Sequence, residues 1–130
     1  MKFLFEERHI VMKYNLDSKI SLVISELERA KRTNLGNSIP IKDINTGSYI
    51  YEIYAICYPT DIGFSVKKLK TNKEVVGIIN NITVTHYGVT YKNVSYKNNV
   101  RINLPDIVLK VLLEFKRGLD FKREFENRIQ

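Results

Sequence analysis

The stretch from Ser48 to Leu104 limits the possible folds of this chain more than any other part of its sequence. It is rich in tyrosine, isoleucine, valine and threonine, the residues that pack well on a pleated surface. Between Tyr49 and Tyr58 the side chains alternate, so that successive residues face opposite sides of a strand. Several such segments separated by turn residues are typical of an antiparallel sheet.

Turn residues divide this stretch into a series of predicted strands. Pro59-Thr60-Asp61 and the basic loop 70–73 give the first two turns, and Asn80-Asn81 resembles a tight turn because asparagine tolerates positive φ. The predicted strands cover residues 49–58, 62–69, 74–79, 82–86, 89–92, 94–97 and 100–104. Residues 36–47 contain glycine, proline, asparagine and aspartate, and we predict that they form turns.

A helix is predicted before the sheet region. Apolar residues recur at helical spacing from Ile20 to Leu27, which predicts a helix over about residues 18–34. Asp17 or Ser18 would cap its start, and Gly36 would end it. Residues 1–16 show broken alternation and are predicted to be an N-terminal strand or arm.

A second helix is predicted after the sheet region, opened by Pro105 because proline is favoured at the first helical position. Gly118 is expected to break or bend it. The segment from Val108 to Phe115 is apolar on more than one face, and Phe121 and Phe125 extend the series. This surplus predicts a partner surface, most simply that of a homodimer formed through the C-terminal helix. The alternative is that both faces are buried within one chain.

The whole chain, residues 1–130, is predicted to be a single domain of the α+β class, with an antiparallel sheet flanked by an N-terminal helix and a C-terminal helix. No apolar run approaches the roughly 20 residues that span a bilayer, and Glu6 and Glu7 stand where a signal peptide would continue apolar. Cys57 is a single cysteine. These features predict an intracellular protein that does not enter a membrane.

The net charge of +7, from 21 basic and 14 acidic residues, points to an anionic partner. Residues 48–105 contribute more of this excess than either end of the chain. Val75 to Pro105 contains no aspartate or glutamate, so Lys92, Lys97 and Arg101 stand unopposed in that part of the sequence.

Signatures of catalysis are scarce. His9 and His86 are far apart, no zinc-binding spacing exists around one cysteine, and neither a phosphate-binding loop nor a Gly-x-Ser-x-Gly motif occurs. Cys57 lies between Ile56 and Tyr58 in a predicted strand, which favours a small buried side chain over a nucleophile. We therefore predict no enzymatic activity, no metal, no cofactor and no small-molecule substrate, although a small metal-dependent nuclease remains an alternative.

Tyrosine interleaved with lysine is the most informative pattern. Residues 86–101 hold three tyrosines, two lysines and an arginine, and Tyr-Lys-Asn occurs twice, at 91–93 and 96–98. Aromatic faces stack on bases, and neighbouring cations bind phosphates, as binding of single strands requires. The same pattern is also typical of a half-buried sheet surface, because tyrosine favours strands and lysine protects strand edges. For four other tyrosines, packing is the favoured role: Tyr49, Tyr51, Tyr54 and Tyr58.

The Tyr/Lys segment 86–101 and the helix opened by Leu104-Pro105-Asp106 resemble the small single-stranded DNA-binding proteins of archaeal rod-shaped viruses, the rudiviruses. The resemblance is one of length, composition and element order across most of the chain. It implies a dimeric, non-catalytic protein without an oligonucleotide-binding barrel that serves viral replication or recombination. It also implies the cytoplasm of the host as the location.

The sequence therefore predicts a protein that binds single-stranded DNA or RNA through an aromatic, basic sheet face. An alternative is a protein-interaction module, such as a viral inhibitor of a host factor, that uses the C-terminal helix. The residues predicted to stack are Tyr87, Tyr91 and Tyr96. Those predicted to contact phosphates are Lys67, Lys68, Lys70, Lys92, Lys97 and Arg101.

Overall fold

The computed structural model describes the backbone of residues 15–91 and 103–129, and side chains as far as Phe125. It has an N-terminal helix, a five-stranded antiparallel sheet and a C-terminal helix, so the predicted α+β fold is confirmed. In chain order the elements are α1 (Asp17–Thr33), β1 (Asn37–Asn45), β2 (Tyr49–Cys57), β3 (Ile62–Lys70), β4 (Val75–Val84), β5 (Val89–Thr90) and α2 (Asp106–Ile129).

The sheet is a meander in which each strand pairs with the next in the sequence. Both helices pack on the same face. The Cys57 thiol contacts the backbone oxygen of Val23 in α1, whereas Phe64 meets Phe115 of α2 edge to face, with ring centroids 6.0 Å apart. Alternate residues of β2 are buried beneath the helices because a strand presents every second side chain to one side. The hydrophobic core therefore lies between one helical layer and one sheet.

The first helix agrees closely with the prediction. Ile20, Val23 and Leu27 are buried on one side of α1, as their helical spacing requires. The ends differ in detail. Leu16 precedes the helix without a side-chain cap, and Asn34 ends it in the left-handed conformation at φ 59° with its N–H donating to the oxygen of Ala30. Asparagine is one of the few residues other than glycine that adopts this conformation readily.

The prediction of turns over residues 36–47 was wrong, because most of this segment forms β1. Its apolar residues Ile39, Ile41 and Ile44 enter the core, and that burial outweighs the local turn preferences of their neighbours. Pro40 is tolerated because β1 is an edge strand, where a missing backbone N–H breaks no sheet pairing. The pairing with β2 is irregular between Pro40 and Lys42.

The predicted tight turn at Asn80-Asn81 was also wrong. The two asparagines lie within the continuous strand β4, where the register with β3 passes from Val66–Ile79 to Phe64–Ile82. One extra residue is accommodated there, as in a β-bulge. Asn81 adopts φ 57°, so its tolerance of positive φ is used in a bulge and not in a turn.

The second helix continues through Gly118, which neither breaks nor bends it into two helices. Phe115 and Leu119 on either side of this glycine are fully buried, and their packing offsets the low helix propensity of glycine. Four of the eight apolar residues that suggested a dimer are buried inside the chain: Val108, Val111, Leu112 and Phe115. Leu109, Leu113 and Phe121 are partly exposed and Phe125 is exposed, so the dimer through α2 stays a prediction.

No described element covers the other side of the sheet. This surface, which we call the open face, includes Ser38, Pro40, Asp43 and Asn45 of β1, Ile50, Glu52, Tyr54 and Ile56 of β2, Gly63, Ser65, Lys67 and Leu69 of β3, and Ile78 of β4.

Candidate nucleic-acid interface

Of the two predicted stacking residues that the structure describes, Tyr87 is the accessible one. Its side chain is 93% exposed at the tip of the β4–β5 turn. The turn is held by Thr85, whose hydroxyl accepts hydrogen bonds from the N–H groups of Tyr87 and Gly88, each at 3.2 Å. The ring meets that of His86 edge-on, with centroids 6.0 Å apart. Its faces are thus available to a planar ligand.

Tyr91 has a different role. Its ring packs against the core, and its hydroxyl accepts a hydrogen bond of 3.0 Å from the backbone N–H of Leu104. This bond joins the end of β5 to the residues just before α2. Because the Tyr91 ring packs against the core in this way, the structure does not favour the prediction that it stacks on a base.

The predicted cations do not share one surface. Lys67 lies on the open face, with its Nζ 5.8 Å from the ring centroid of Tyr54. Lys68 follows it in the strand and therefore projects from the opposite side, with its Nζ 4.0 Å from the ring centroid of Tyr49. Lys70 pairs with Glu74 at 3.6 Å at the far end of the sheet. Tyr96, Lys92, Lys97 and Arg101 lie outside the described residues.

One end of the sheet gathers features that the sequence did not reveal. Asn37 pairs with Cys57, so the α1–β1 connection lies beside the β2–β3 turn. Because Phe64 pairs with Ile82, the β4–β5 turn lies at this same end. Two adjoining depressions there, of about 280 and 120 Å³, share Tyr58, Asp61, Ile62 and Lys116. We call them together the turn-side cleft, whose basic side chains are Lys31, Lys116 and Arg123.

Tyr58 is the aromatic ring of the turn-side cleft, and it is 43% exposed. Its N–H donates to the oxygen of Asp61 at 2.9 Å, which closes the β2–β3 turn. Two glycines leave room for the ring. A Cβ on Gly63 would lie 3.3 Å from Tyr58 Cε2, and one on Gly36 would lie 3.5 Å from Tyr58 Cδ1. The interpretation of Tyr58 as a packing residue missed this accessible position.

The charges of the turn-side cleft are partly neutralised, and the acidic residue Asp61 also lines both depressions. Lys116 forms an ion pair of 3.0 Å with Asp120, and Lys31 forms one of 3.2 Å with Glu28. Arg123 makes no ion pair within the part of the chain that the structure describes. The Lys31–Glu28 pair is exposed, and such pairs contribute about 0–1 kcal/mol, so an incoming phosphate can replace Glu28 at small cost. The Lys116–Asp120 pair is partly buried.

Arg117 links the Tyr87 turn to the helix that carries Lys116. Its Nε and Nη2 donate hydrogen bonds of 3.3 and 3.1 Å to the backbone oxygen of His86. The side chains of Lys116 and Arg123 project from the same helix toward the β2–β3 turn. The turn that carries the exposed ring of Tyr87 is therefore held at the same end of the sheet as Tyr58 and the basic residues beside it.

Sequence reasoning missed the turn-side cleft because Lys31, Tyr58 and Lys116 are distant in the sequence. A signal was present in α2, where Lys116 and Arg123 are seven residues apart and so occupy one helical face. The interleaved acids concealed it, since Asp120 lies on that face as well.

The structure offers little for metal or thiol chemistry. No group of three metal-ligating side chains occurs among residues 15–91 and 103–129. Cys57 is buried, as its position in the strand predicted, and burial raises the pKa of its thiol to about 11. A thiol so protected from ionisation is a poor nucleophile.

No family model, curated protein or solved structure matches this chain. Neither α1 nor α2, over the range described, has both the length and the apolar character needed to cross a membrane.

Proposed function

We propose that this chain is a non-catalytic protein that binds single-stranded nucleic acid at the end of the sheet formed by Tyr58, Tyr87 and the basic residues of α2. The resemblance to rudiviral single-stranded DNA-binding proteins suggests a role in viral genome replication or recombination. The proposed site differs from the one that the sequence predicted. The proposed site keeps Tyr87 and excludes Tyr91. It includes three residues that the sequence did not predict: Tyr58, Lys116 and Arg123.

The observation that carries the proposal is the placement of two accessible rings at one end of the sheet beside cations. Tyr58 is 43% and Tyr87 93% exposed. They follow β2 and β4, which are two strand spacings or about 10 Å apart. Separate exposed rings at the ends of alternate strands suit bases of one extended strand, whose flat faces are free, better than bases stacked inside a duplex.

Electrostatics supports the same partner. The chain carries a net charge of +7. In the turn-side cleft, the basic residues Lys31, Lys116 and Arg123 line the same depression as the ring of Tyr58. Neutralising three phosphates of a single strand gives a slope of about −2 in log affinity against log salt. Lys92, Lys97 and Arg101 stand in a segment without acids, and they would steepen this dependence if they also bind.

The test is a titration of fluorescent single-stranded and duplex oligonucleotides at low and high salt. Tighter binding of the single strand, weakened by salt, is expected. Lys116→Gln with Arg123→Gln should lower affinity and flatten the salt slope. Lys19→Gln with Lys73→Gln, which also removes two charges but away from the cleft, should change both little. A triple variant, Lys92→Gln with Lys97→Gln and Arg101→Gln, is titrated in parallel. It measures how much the acid-free segment contributes to affinity and to the salt dependence.

Each other outcome has a definite meaning. Absence of binding at low salt, or tighter binding of the duplex, contradicts the proposal. Cleavage of the oligonucleotide in the presence of Mg²⁺ would make the chain a nuclease. Equal losses from the Lys116/Arg123 variant and from the Lys19/Lys73 variant would show that binding depends on net charge and not on this site.

A further inference from the structure

The strands β3 and β4 separate at the end of the sheet that carries the turn-side cleft. The register between them ends at the pair Phe64–Ile82. Beyond this pair, Ile62 lies in the register of β3 with β2, whereas Val84 lies in the register of β4 with β5. Both residues line the larger depression of the cleft, of about 280 Å³. This depression is therefore a gap between two strands that have parted.

Backbone groups of both strands point into the gap. Along an antiparallel strand, the backbone groups of successive residues point to opposite neighbours. The N–H of Tyr58 donates to the oxygen of Asp61, so the groups of Ile62 point toward β4. The N–H of Thr85 donates to a carbonyl of the β4–β5 turn, so the groups of Val84 point toward β3. Since the Ile62 N–H donates to Oδ1 of Asp61 at 2.7 Å, the gap presents the Ile62 carbonyl as an acceptor and the Val84 N–H as a donor.

The bulge in β4 adds a side chain to the wall of the same depression. Asn81 lines it with a backbone φ of 57°, a conformation that is unfavourable for residues other than glycine and that proteins retain most often at functional sites. Its side chain is exposed, and its carboxamide makes no hydrogen bond within residues 15–91 and 103–129. Bulges beside binding sites re-aim a side chain. The backbone and the carboxamide of Asn81 therefore both indicate a group that is held ready for a ligand.

The charges assign different ligands to the two depressions of the turn-side cleft. In the larger one Lys116 is balanced by Asp61, whereas the smaller one, of about 120 Å³, adds Lys31 and Arg123. A phosphate is therefore favoured in the smaller depression and a neutral polar group in the larger one. A base is such a group, and Tyr58 lines both depressions and offers its ring for stacking. The cleft thus suits one nucleotide, with its base between β3 and β4.

We propose that the larger depression is a base-reading pocket that takes one adenine or cytosine of the bound strand, an inference that rests on the proposed function. These bases carry an amino group beside a ring nitrogen that accepts a hydrogen bond, and both groups are accessible in a single strand. The two N–H donors of the amino group satisfy the Ile62 carbonyl and the carboxamide oxygen of Asn81, and the Val84 N–H donates to the ring nitrogen. Thymine and uracil offer a single ring N–H, which leaves one acceptor unpaired and lowers affinity.

The test compares a fluorescent strand of thymidines with the same strand that carries one central adenine or one central cytosine. Each substituted strand should bind the full chain about fivefold more tightly or better. Asn81→Gly removes the carboxamide but adopts positive φ freely, so the ratio should fall close to one while the thymidine strand binds almost as before. Asn81→Asp keeps an acceptor oxygen on a residue that also tolerates this conformation, so the ratio should persist.

Asn15→Gly is the matched control. Asn15 also has a positive φ, of 56°, but it precedes α1 at the end of that helix away from the cleft, so the variant should leave every affinity unchanged. Circular dichroism of each variant verifies folding. Equal affinity for the three strands overturns this inference alone, because salt-dependent binding of the thymidine strand still supports the proposed function. A preference that Asn81→Gly leaves intact also overturns it. Absence of binding by every strand overturns both.

Discussion

The guanidinium of Arg117 donates two hydrogen bonds to the backbone oxygen of His86, at 3.3 and 3.1 Å, and so ties the β4–β5 turn to α2. The next residue, Tyr87, is the most exposed large apolar side chain of the described residues. Because the bonds to His86 hold the turn in place, they restrict where the Tyr87 ring can lie. A ring that is already restricted loses less entropy when a ligand binds.

Arg117→Ala should therefore weaken binding of single-stranded oligonucleotides by more than the loss of one charge. The matched control is Lys110→Ala, which removes a cation from an exposed position of the same helix. Fluorescence anisotropy at two salt concentrations measures both variants. We expect a loss of up to about tenfold for Arg117→Ala, since ordering a side chain on binding costs about 0.5–1.5 kcal/mol. Equal losses in the two variants would contradict a role for the tether.

Gly63→Ala should displace the ring of Tyr58 with little effect on stability. The added Cβ would lie 3.3 Å from Tyr58 Cε2, so the ring must move by a few tenths of an ångström. Affinity for single strands should fall, but by less than for Tyr58→Ala, which removes a stacking interaction of about 1–3 kcal/mol. Gly88→Ala is the control, because nothing lies within 4 Å of its added Cβ. Unchanged affinity in Gly63→Ala and Tyr58→Ala together would remove Tyr58 from the site.

Substitutions at Asn81 should report on the bulge in β4. Asn81→Val should destabilise the fold by about 1–2 kcal/mol, since a β-branched residue at the φ of 57° is strained. Asn81→Gly should be neutral or slightly stabilising, and Asn80→Val, at the neighbouring exposed position, should be tolerated. Urea unfolding measures all three variants. A fully stable Asn81→Val would contradict the bulge at this residue.

Stability should fall in alkaline solution. Burial raises the pKa of the Cys57 thiol from 9.0 to about 11. Burial, followed by the hydrogen bond to Glu52, raises the pKa of Tyr54 to about 12. Between about pH 9 and pH 11 the unfolded chain loses the thiol proton that the folded chain retains, so the free energy of unfolding decreases as pH rises. The slope from one group is at most about 1.4 kcal/mol per pH unit.

Cys57→Ala isolates the contribution of the thiol. The variant should be less stable at neutral pH because its core loses the sulfur, but its stability should decline less steeply above about pH 9. Urea titrations of both proteins at a series of pH values provide the comparison. Identical slopes would show that the thiol ionises as readily in the folded chain as in the unfolded one.

Much of the fold was predictable where burial and local preference agree. The alternation around Ile53 identified β2, and the helical spacing of Ile20, Val23 and Leu27 identified α1. In these segments the pattern of apolar residues and the intrinsic preference of the side chains favour the same structure, so one sequence is enough to recognise it.

Prediction failed where distant packing outweighs local preference. Pro40 and Asp43 favour a turn, but the burial of Ile39 and Ile44 places this segment in the sheet. The prediction of the site from the sequence failed for a related reason. Adjacent lysines such as Lys67 and Lys68 point to opposite sides of a strand, and the cations that do converge come from separate helices.

The hydrogen bond from the Leu104 N–H to the Tyr91 hydroxyl has a consequence for how this protein can vary. It joins the residue that follows β5 to a residue just before α2, which are the two points that residues 92–102 connect. The entropic cost of closing such a connection grows slowly with its length. A change in the length of this connection should therefore add little to the entropic cost of holding β5 and α2 together.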